Sequence, residues 1–102
     1  MPRVSDVLRA IDRSAPWALQ EPWDNSGLQL GDPAATVRRV LVALDPSPAV
    51  AREAGRRRAD LLVTHHPLFP EPVCRLSPES PAGAVALELA HAGIALVAAH
   101  TN

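Results

Sequence analysis

Apolar positions in this chain fall into runs of two kinds, helical and strand-like. Val4, Val7, Leu8, Ile11 and Ala15 recur on one side of a helical repeat, with Ser5 as the expected N-cap and Pro16 as the stop. Trp17 to Ser26 is polar and interrupted by proline, so a loop is expected there. Gly27 to Leu30 reads as a short strand closed by Gly31, Asp32 and Pro33. Val37 to Leu44 contains the almost unbroken apolar run Val40 to Leu44, the pattern of a strand buried on both faces. Ser47-Pro48 then gives an N-cap followed by proline at the first helical position, predicting a helix to about Arg58. Its last turn carries Arg56, Arg57 and Arg58, where the negative end of the helix dipole favours cations. Asp60 to Thr64 is the next strand. After the prolines at 67, 70 and 72, Ser80-Pro81 repeats the cap signature before a helix to Ala92, Gly93 ends it, and Ile94 to Ala98 is a further strand.

Strands alternating with helices of this length imply βαβ crossovers and a largely parallel sheet. The fold class expected is α/β, a Rossmann-like sheet with flanking helices forming one domain over residues 1–102. Ligands of such sheets bind beyond the carboxyl ends of the strands. Asp45, the pair His65-His66, and His100 stand at three of those ends.

Composition narrows the picture. With 102 residues the chain is one domain at most; 47% hydrophobic and 21% charged residues make it globular rather than disordered. All its basic side chains are arginine, yet the net charge is −1 and the longest basic block is Arg56 to Arg58, which argues against a nucleic-acid partner. The single Cys74 excludes an internal disulfide and a cysteine zinc cluster. The N-terminus has no signal-peptide pattern, so a cytoplasmic location is expected. Residues 82–99 are apolar, but Glu88, His91 and Gly93 interrupt them, so helix-then-strand fits better than a membrane span.

Imidazole is the commonest side-chain metal ligand near neutral pH. Two imidazoles do not complete a zinc site, which takes three or four protein ligands. His91, inside the last predicted helix, reads as a surface residue. The loop Trp23-Asp24-Asn25-Ser26-Gly27 is either a turn, with Asp24 or Asn25 bonding local backbone, or a wall over the cleft anchored by Trp23. Asp45 is either a helix-entry residue or the orienter of a histidine. No Gly-x-Gly-x-x-Gly loop is present, so dinucleotide binding is not expected.

The segments Trp23-Asp24-Asn25-x-Gly27-Leu28, Val42-Ala43-Leu44-Asp45, Thr64-His65-His66-Pro67-Leu68 and Ala99-His100-Thr101-Asn102 together resemble the NGG-one-interacting-factor-three-like family. Its members are also called GTP cyclohydrolase I type 2 homologues and dinuclear metal-centre hexameric proteins. The resemblance implies a metal-dependent, hydrolase-like protein, with His65 and His66 as metal ligands and two divalent ions (zinc, iron, nickel or manganese) as cofactors. It makes His100 a catalytic, proton-transferring or orienting group, and places Asp24, Asn25 and Asp45 in the substrate pocket or behind the metal ligands. Self-association to a hexamer and a nucleotide-like small molecule are the implied partners, with no nucleic acid and no membrane.

Family members continue past the His-Thr-Asn motif into Leu-Asp and a distant His and Glu that complete the site. This sequence therefore resembles the N-terminal portion, an incomplete half of the larger family fold, and is expected to be catalytically dead and a weak metal binder by itself. The competing reading is a non-catalytic, metal-dependent scaffold or regulator.

Overall fold

Three parallel strands and one antiparallel strand build the sheet in the computed structural model, which describes all residues, Met1–Asn102. The elements are α1 (Val4–Ser14), a 3-10 turn (Trp17–Leu19), β1 (Gly27–Leu30), β2 (Val40–Ala43), α2 (Pro48–Arg56), β3 (Leu61–Thr64), α3 (Pro81–His91) and β4 (Ala95–Ala98). The strand order is β1-β4-β3-β2. Strands β2, β3 and β4 run parallel, and β1 pairs antiparallel to β4. The α/β expectation holds, with the parallel sheet extended by one antiparallel edge. No helix is long and apolar enough to cross a membrane.

Alternation along the strands divides the core between the two faces of the sheet. Leu62 and Leu96 pack with Ala51 and Ala54 of α2 and Val85, Ala86 and Leu89 of α3. Leu61, Ala95 and Val97 point the other way and pack with Val4, Val37 and the half-buried Val7, Leu8 and Ile11 of α1. Ser47 and Ser80 cap α2 and α3 through their side chains, each followed by proline, as their sequence pattern predicts.

Two local expectations are corrected. Helix α1 begins at Val4 with Arg3 as N-cap, so Ser5 lies in its first turn. The Asp6 carboxylate accepts the Arg3 N–H at 2.7 Å, while Val4 and Ser5 N–H bond the carbonyls of Ala35 and Pro33. The first-turn donors are thus satisfied by another segment, which makes a serine cap unnecessary. The second correction concerns β2, which is an edge strand and not buried on both faces. Val42 is 74% exposed, and Val40 and Leu44 are also open to solvent. Leu41 and Ala43 face the helices α2 and α3, but α1 does not reach over the opposite side of β2.

One glycine fixes how β1 approaches the sheet. Gly31 has φ +113°, and a Cβ on it would stand 2.6 Å from Ala95 Cβ and 2.9 Å from Ala95 Cα. Neither the backbone angle nor the space suits a larger residue. Gly31→Ala is expected to lower the unfolding free energy by about 1–3 kcal/mol in urea titration. An unchanged midpoint would show that β1 docks with slack the structure lacks.

Candidate metal centre

The carboxyl ends of β2, β3 and β4 meet at one rim of the sheet, and the residues following them turn toward each other. Parallel register sets Ala43 beside Thr64 and Thr64 beside Ala98. His65 N–H bonds Ala43 O, His66 N–H bonds Leu44 O, and Ala99 N–H bonds Thr64 O, so the ladder continues one step past the strands. The Thr64 hydroxyl donates to His66 O at 2.8 Å, curling the chain so that both neighbouring imidazoles reach the same side. The ring centroids of His65, His66 and His100 form a triangle of 5.0, 4.9 and 5.6 Å. One nitrogen from each of these rings lies within 4.8 Å of those of the other two.

Each ring is held from behind by a different oxygen. His65 Nδ1 donates to Ala99 O at 3.1 Å, His66 Nδ1 to Asp45 at 2.5 Å and His100 Nδ1 to Asp24 at 3.1 Å. A carbonyl or an ionised carboxylate has no proton to offer, so Nδ1 carries the hydrogen in all three rings. The Nε2 atoms remain as lone-pair donors. Imidazoles that bind metals are commonly oriented through the other nitrogen in this way.

Asp24 is the most enclosed of these supports, with its side chain only 2% exposed. Besides His100 it accepts the Asn25 N–H (2.8 Å), the Ser26 hydroxyl (3.0 Å), the Thr101 N–H (3.0 Å) and the Thr101 hydroxyl (2.5 Å). Burial opposes ionisation of the Asp24 carboxyl. The bonds from Thr101, His100 and Asn25 outweigh it together and hold the group well below the usual carboxylate range.

The 23–27 loop therefore serves both as a turn and as a wall. Gly27 takes φ +124°, as a turn glycine does. Asn25 Nδ2 donates to Phe69 O at 2.7 Å, tying this loop to the proline-rich segment after the histidines. Trp23 is not the hydrophobic anchor expected of it. The residue is 67% exposed, and its ring meets that of His100 edge-on at 6.1 Å between centroids. A cleft of about 470 Å³ opens there, lined by Trp23, Asp24, His66, Pro67, Pro70, Glu71 and His100. A second hollow beside it is lined by Asp24, Asn25 and the loop from Phe69 to Val73.

His65, His66, His100, Asp24 and Trp23 lie at this rim, Asp45 reaches it through His66, and Asn25 lines the neighbouring hollow. His91 ends α3 and is exposed, away from the group. Three contributors escaped the sequence reading. Ser26 Oγ accepts the His100 N–H at 3.0 Å, and the Thr101 hydroxyl donates to Asp24 while accepting the Glu21 N–H at 2.9 Å. Glu71 reaches the cleft from a loop with no ligand-like spacing. For Ser26 and Thr101 the available signal was their place inside the two family-like segments.

The sequence pattern of the Duf34/NIF3 (NGG1p interacting factor 3) family matches residues 2–102. A Streptomyces coelicolor protein called GTP cyclohydrolase 1 type 2 homolog is 42% identical over the whole chain, which spans 36% of that protein. The Staphylococcus aureus protein SA1388 superposes with a TM-score of 0.93 at 33% identity, over 98% of this chain and 32% of its own. A Bacillus cereus protein related to NIF3 gives a TM-score of 0.91 at 31% identity, over 98% of this chain and 28% of its own. The chain thus spans about a third of the length of these relatives.

Proposed function

Since the chain belongs to the Duf34/NIF3 family, we propose that it carries the imidazole side of a metal-dependent hydrolytic centre acting on a nucleotide-like substrate. One observation carries the reading. Imidazoles from two different strand ends converge beside a cleft, each with its Nδ1 tied back and its Nε2 free. This donor set suits a divalent transition metal, with zinc, iron and nickel all compatible with imidazole.

His65 and His66 would hold the metal, with the Ala99 carbonyl and Asp45 keeping their rings in place. A bound divalent ion supplies Lewis acidity there, polarising a carbonyl or phosphoryl oxygen and acidifying water. The chain's own residues do the rest. Trp23 presents an exposed aromatic face at the mouth, suited to a planar base. Pro67 and Pro70 give the wall a rigid apolar surface, and Glu71 offers an acceptor to donor groups of the substrate. The guanine nucleotide is suggested by the names of the relatives, which call them homologues of GTP cyclohydrolase 1 type 2.

A pair of metal ions needs more donors than this cluster contains, and the relatives are about three times as long as the matched segment. We infer that the dinuclear form draws further ligands from the rest of a family-length protein, and that the 102-residue chain alone turns over no substrate. The exposed row Val40, Val42 and Leu44 favours burial against another element or subunit, consistent with self-association.

The test is loss of GTP, followed by chromatography, on family-length protein with added zinc or manganese. Chelation is expected to abolish turnover. His65→Ala/His66→Ala is expected to reduce it by more than the roughly 100-fold that removing an orienting residue costs. Undiminished turnover by metal-stripped protein would refute the metal-dependent reading, and metal-dependent assembly without any turnover would leave a scaffold.

A further inference from the structure

We propose that the open edge of β2 is a docking site for an extended acidic–aliphatic peptide, which joins the four-stranded sheet as a further, antiparallel strand. This site is independent of the metal-dependent reading, because it uses the lateral edge of the sheet rather than the rim that carries the imidazoles.

The backbone of β2 is half used. Arg39 O accepts the Leu61 N–H and Ala43 O accepts the His65 N–H, so Arg39, Leu41 and Ala43 are the residues whose polar groups turn to β3. In a parallel ladder the alternate residues turn the other way. Val40 and Val42 therefore hold N–H and C=O toward the open side, where no strand lies. Edge strands are commonly guarded by proline, charge or a bulge. None of these interrupts Val40 to Leu44, and the pairing of β2 with β3 runs without a shift.

Side chains specify the partner's chemistry. Val40, Val42 and Leu44 are 47%, 74% and 60% exposed on the face that α1 leaves bare, so they suit aliphatic neighbours. Arginines cluster where the edge begins. Arg38, Arg39 and Arg58 are in no ion pair, and Arg39 reaches only the Arg57 carbonyl, at 3.4 Å. The Asp60 carboxylate beside them is spent on the backbone N–H groups of Arg38 and Arg39, at 2.7 and 3.0 Å. A hollow of about 410 Å³ lies between Arg39 and Arg57, floored by Val40, Leu41 and Ala59. Carboxylates fit there, since guanidinium groups bind them through paired N–H donors.

Pairing with β2 of a second copy satisfies this edge poorly. The carboxylate that follows β2, Asp45, already holds His66, and the next residue, Pro46, has no N–H to donate. A separate acidic segment meets both demands. In antiparallel register the sequence Val-Thr-Val-Thr-Val-Glu-Glu sets its valines beside Leu44, Val42 and Val40, and its glutamates beside Arg39 and Arg38. Backbone bonds then supply affinity, and alternate side chains supply selectivity.

The experiment measures fluorescence anisotropy of that heptapeptide, blocked at both ends and labelled, against the 102-residue chain. Saturable one-to-one binding below millimolar concentration is expected. Lysine in place of both glutamates, or Arg39→Glu in the protein, should weaken it by at least about tenfold. Val42→Pro should abolish binding and leave the urea midpoint nearly unchanged, because the N–H it removes faces outward. N-methylation of the middle valine of the peptide should also abolish binding, and it tests the backbone pairing without altering the protein.

Equal affinity for the lysine peptide, or for the N-methylated one, would overturn the inference, as would no saturable binding. Sedimentation showing a dimer of the chain that Val42→Pro dissociates would also overturn it and assign the edge to a second copy.

Discussion

Asn in place of Asp24 should destabilise the protein by about 2–4 kcal/mol, although the substitution is isosteric. The reason is that both oxygens of this buried side chain face N–H groups that cannot turn away. One oxygen accepts from Asn25 N and His100 Nδ1, the other from Thr101 N together with the hydroxyls of Ser26 and Thr101. Whichever way the asparagine amide is placed, its NH2 meets at least one of those fixed donors. Hydroxyls can rotate to become acceptors, but backbone N–H cannot.

The lost bonds join segments 77 residues apart, so the Trp23–Gly27 loop should detach from the His-Thr-Asn segment as the fold weakens. Urea titration measures the stability change, and proton–nitrogen correlation of the imidazoles shows whether His100 keeps its hydrogen on Nδ1. A midpoint equal to wild type with an unaltered His100 ring would show that Asp24 does not brace the site.

The second large effect is expected in the core. Leu96→Ala should cost about 2–5 kcal/mol, because Leu96 is fully buried at the centre of the sheet and its neighbours cannot collapse into the space. Register sets it beside Leu62 of β3 and Leu30 of β1, and it packs against the α2 and α3 side. Val42→Ala removes a comparable aliphatic group from β2 and should change stability by no more than about 0.5 kcal/mol in the monomer. Val42 is 74% exposed, so little apolar surface returns to water on truncation. Calorimetry on both variants checks the pair. Equal losses would place β2 inside the sheet rather than at its edge.

That contrast marks the limit of what the chain's pattern reveals. Val40 to Leu44 and Ile94 to Ala98 look alike as apolar runs, yet one forms the sheet's edge and the other its interior. Alternation and apolar content report that a strand forms, whereas its exposure depends on which strands flank it. The first helix makes the same point at its N-terminus. Ser5 has the chemistry of a cap, but carbonyls of Pro33 and Ala35, supplied by tertiary packing, satisfy the donors that a cap would have served.

The candidate site was legible in part for a related reason. His65-His66 and His100 follow strand-like runs, and strand ends collect at one rim of a parallel sheet, so their neighbourhood could be argued from order alone. Their triangle could not. It requires β4 to lie next to β3, an adjacency that puts Ala99 beside Thr64 and His100 within 4.9 Å, centroid to centroid, of His65. Asp24 read equally as a turn residue or as part of a wall over the cleft, because both use a small carboxylate, and only the approach of Thr101 and His100 shows that it also braces a distant segment.

Sequence by itself determined the kinds of element, their capping by Ser47-Pro48 and Ser80-Pro81, and which chemistry stands at the strand ends. These depend on spacing and on bonds within a few residues. Tertiary structure alone decided strand order, the open side of β2, and the closing of the three imidazoles around a common point. Those depend on pairings between distant segments, and local periodicity has no term for them.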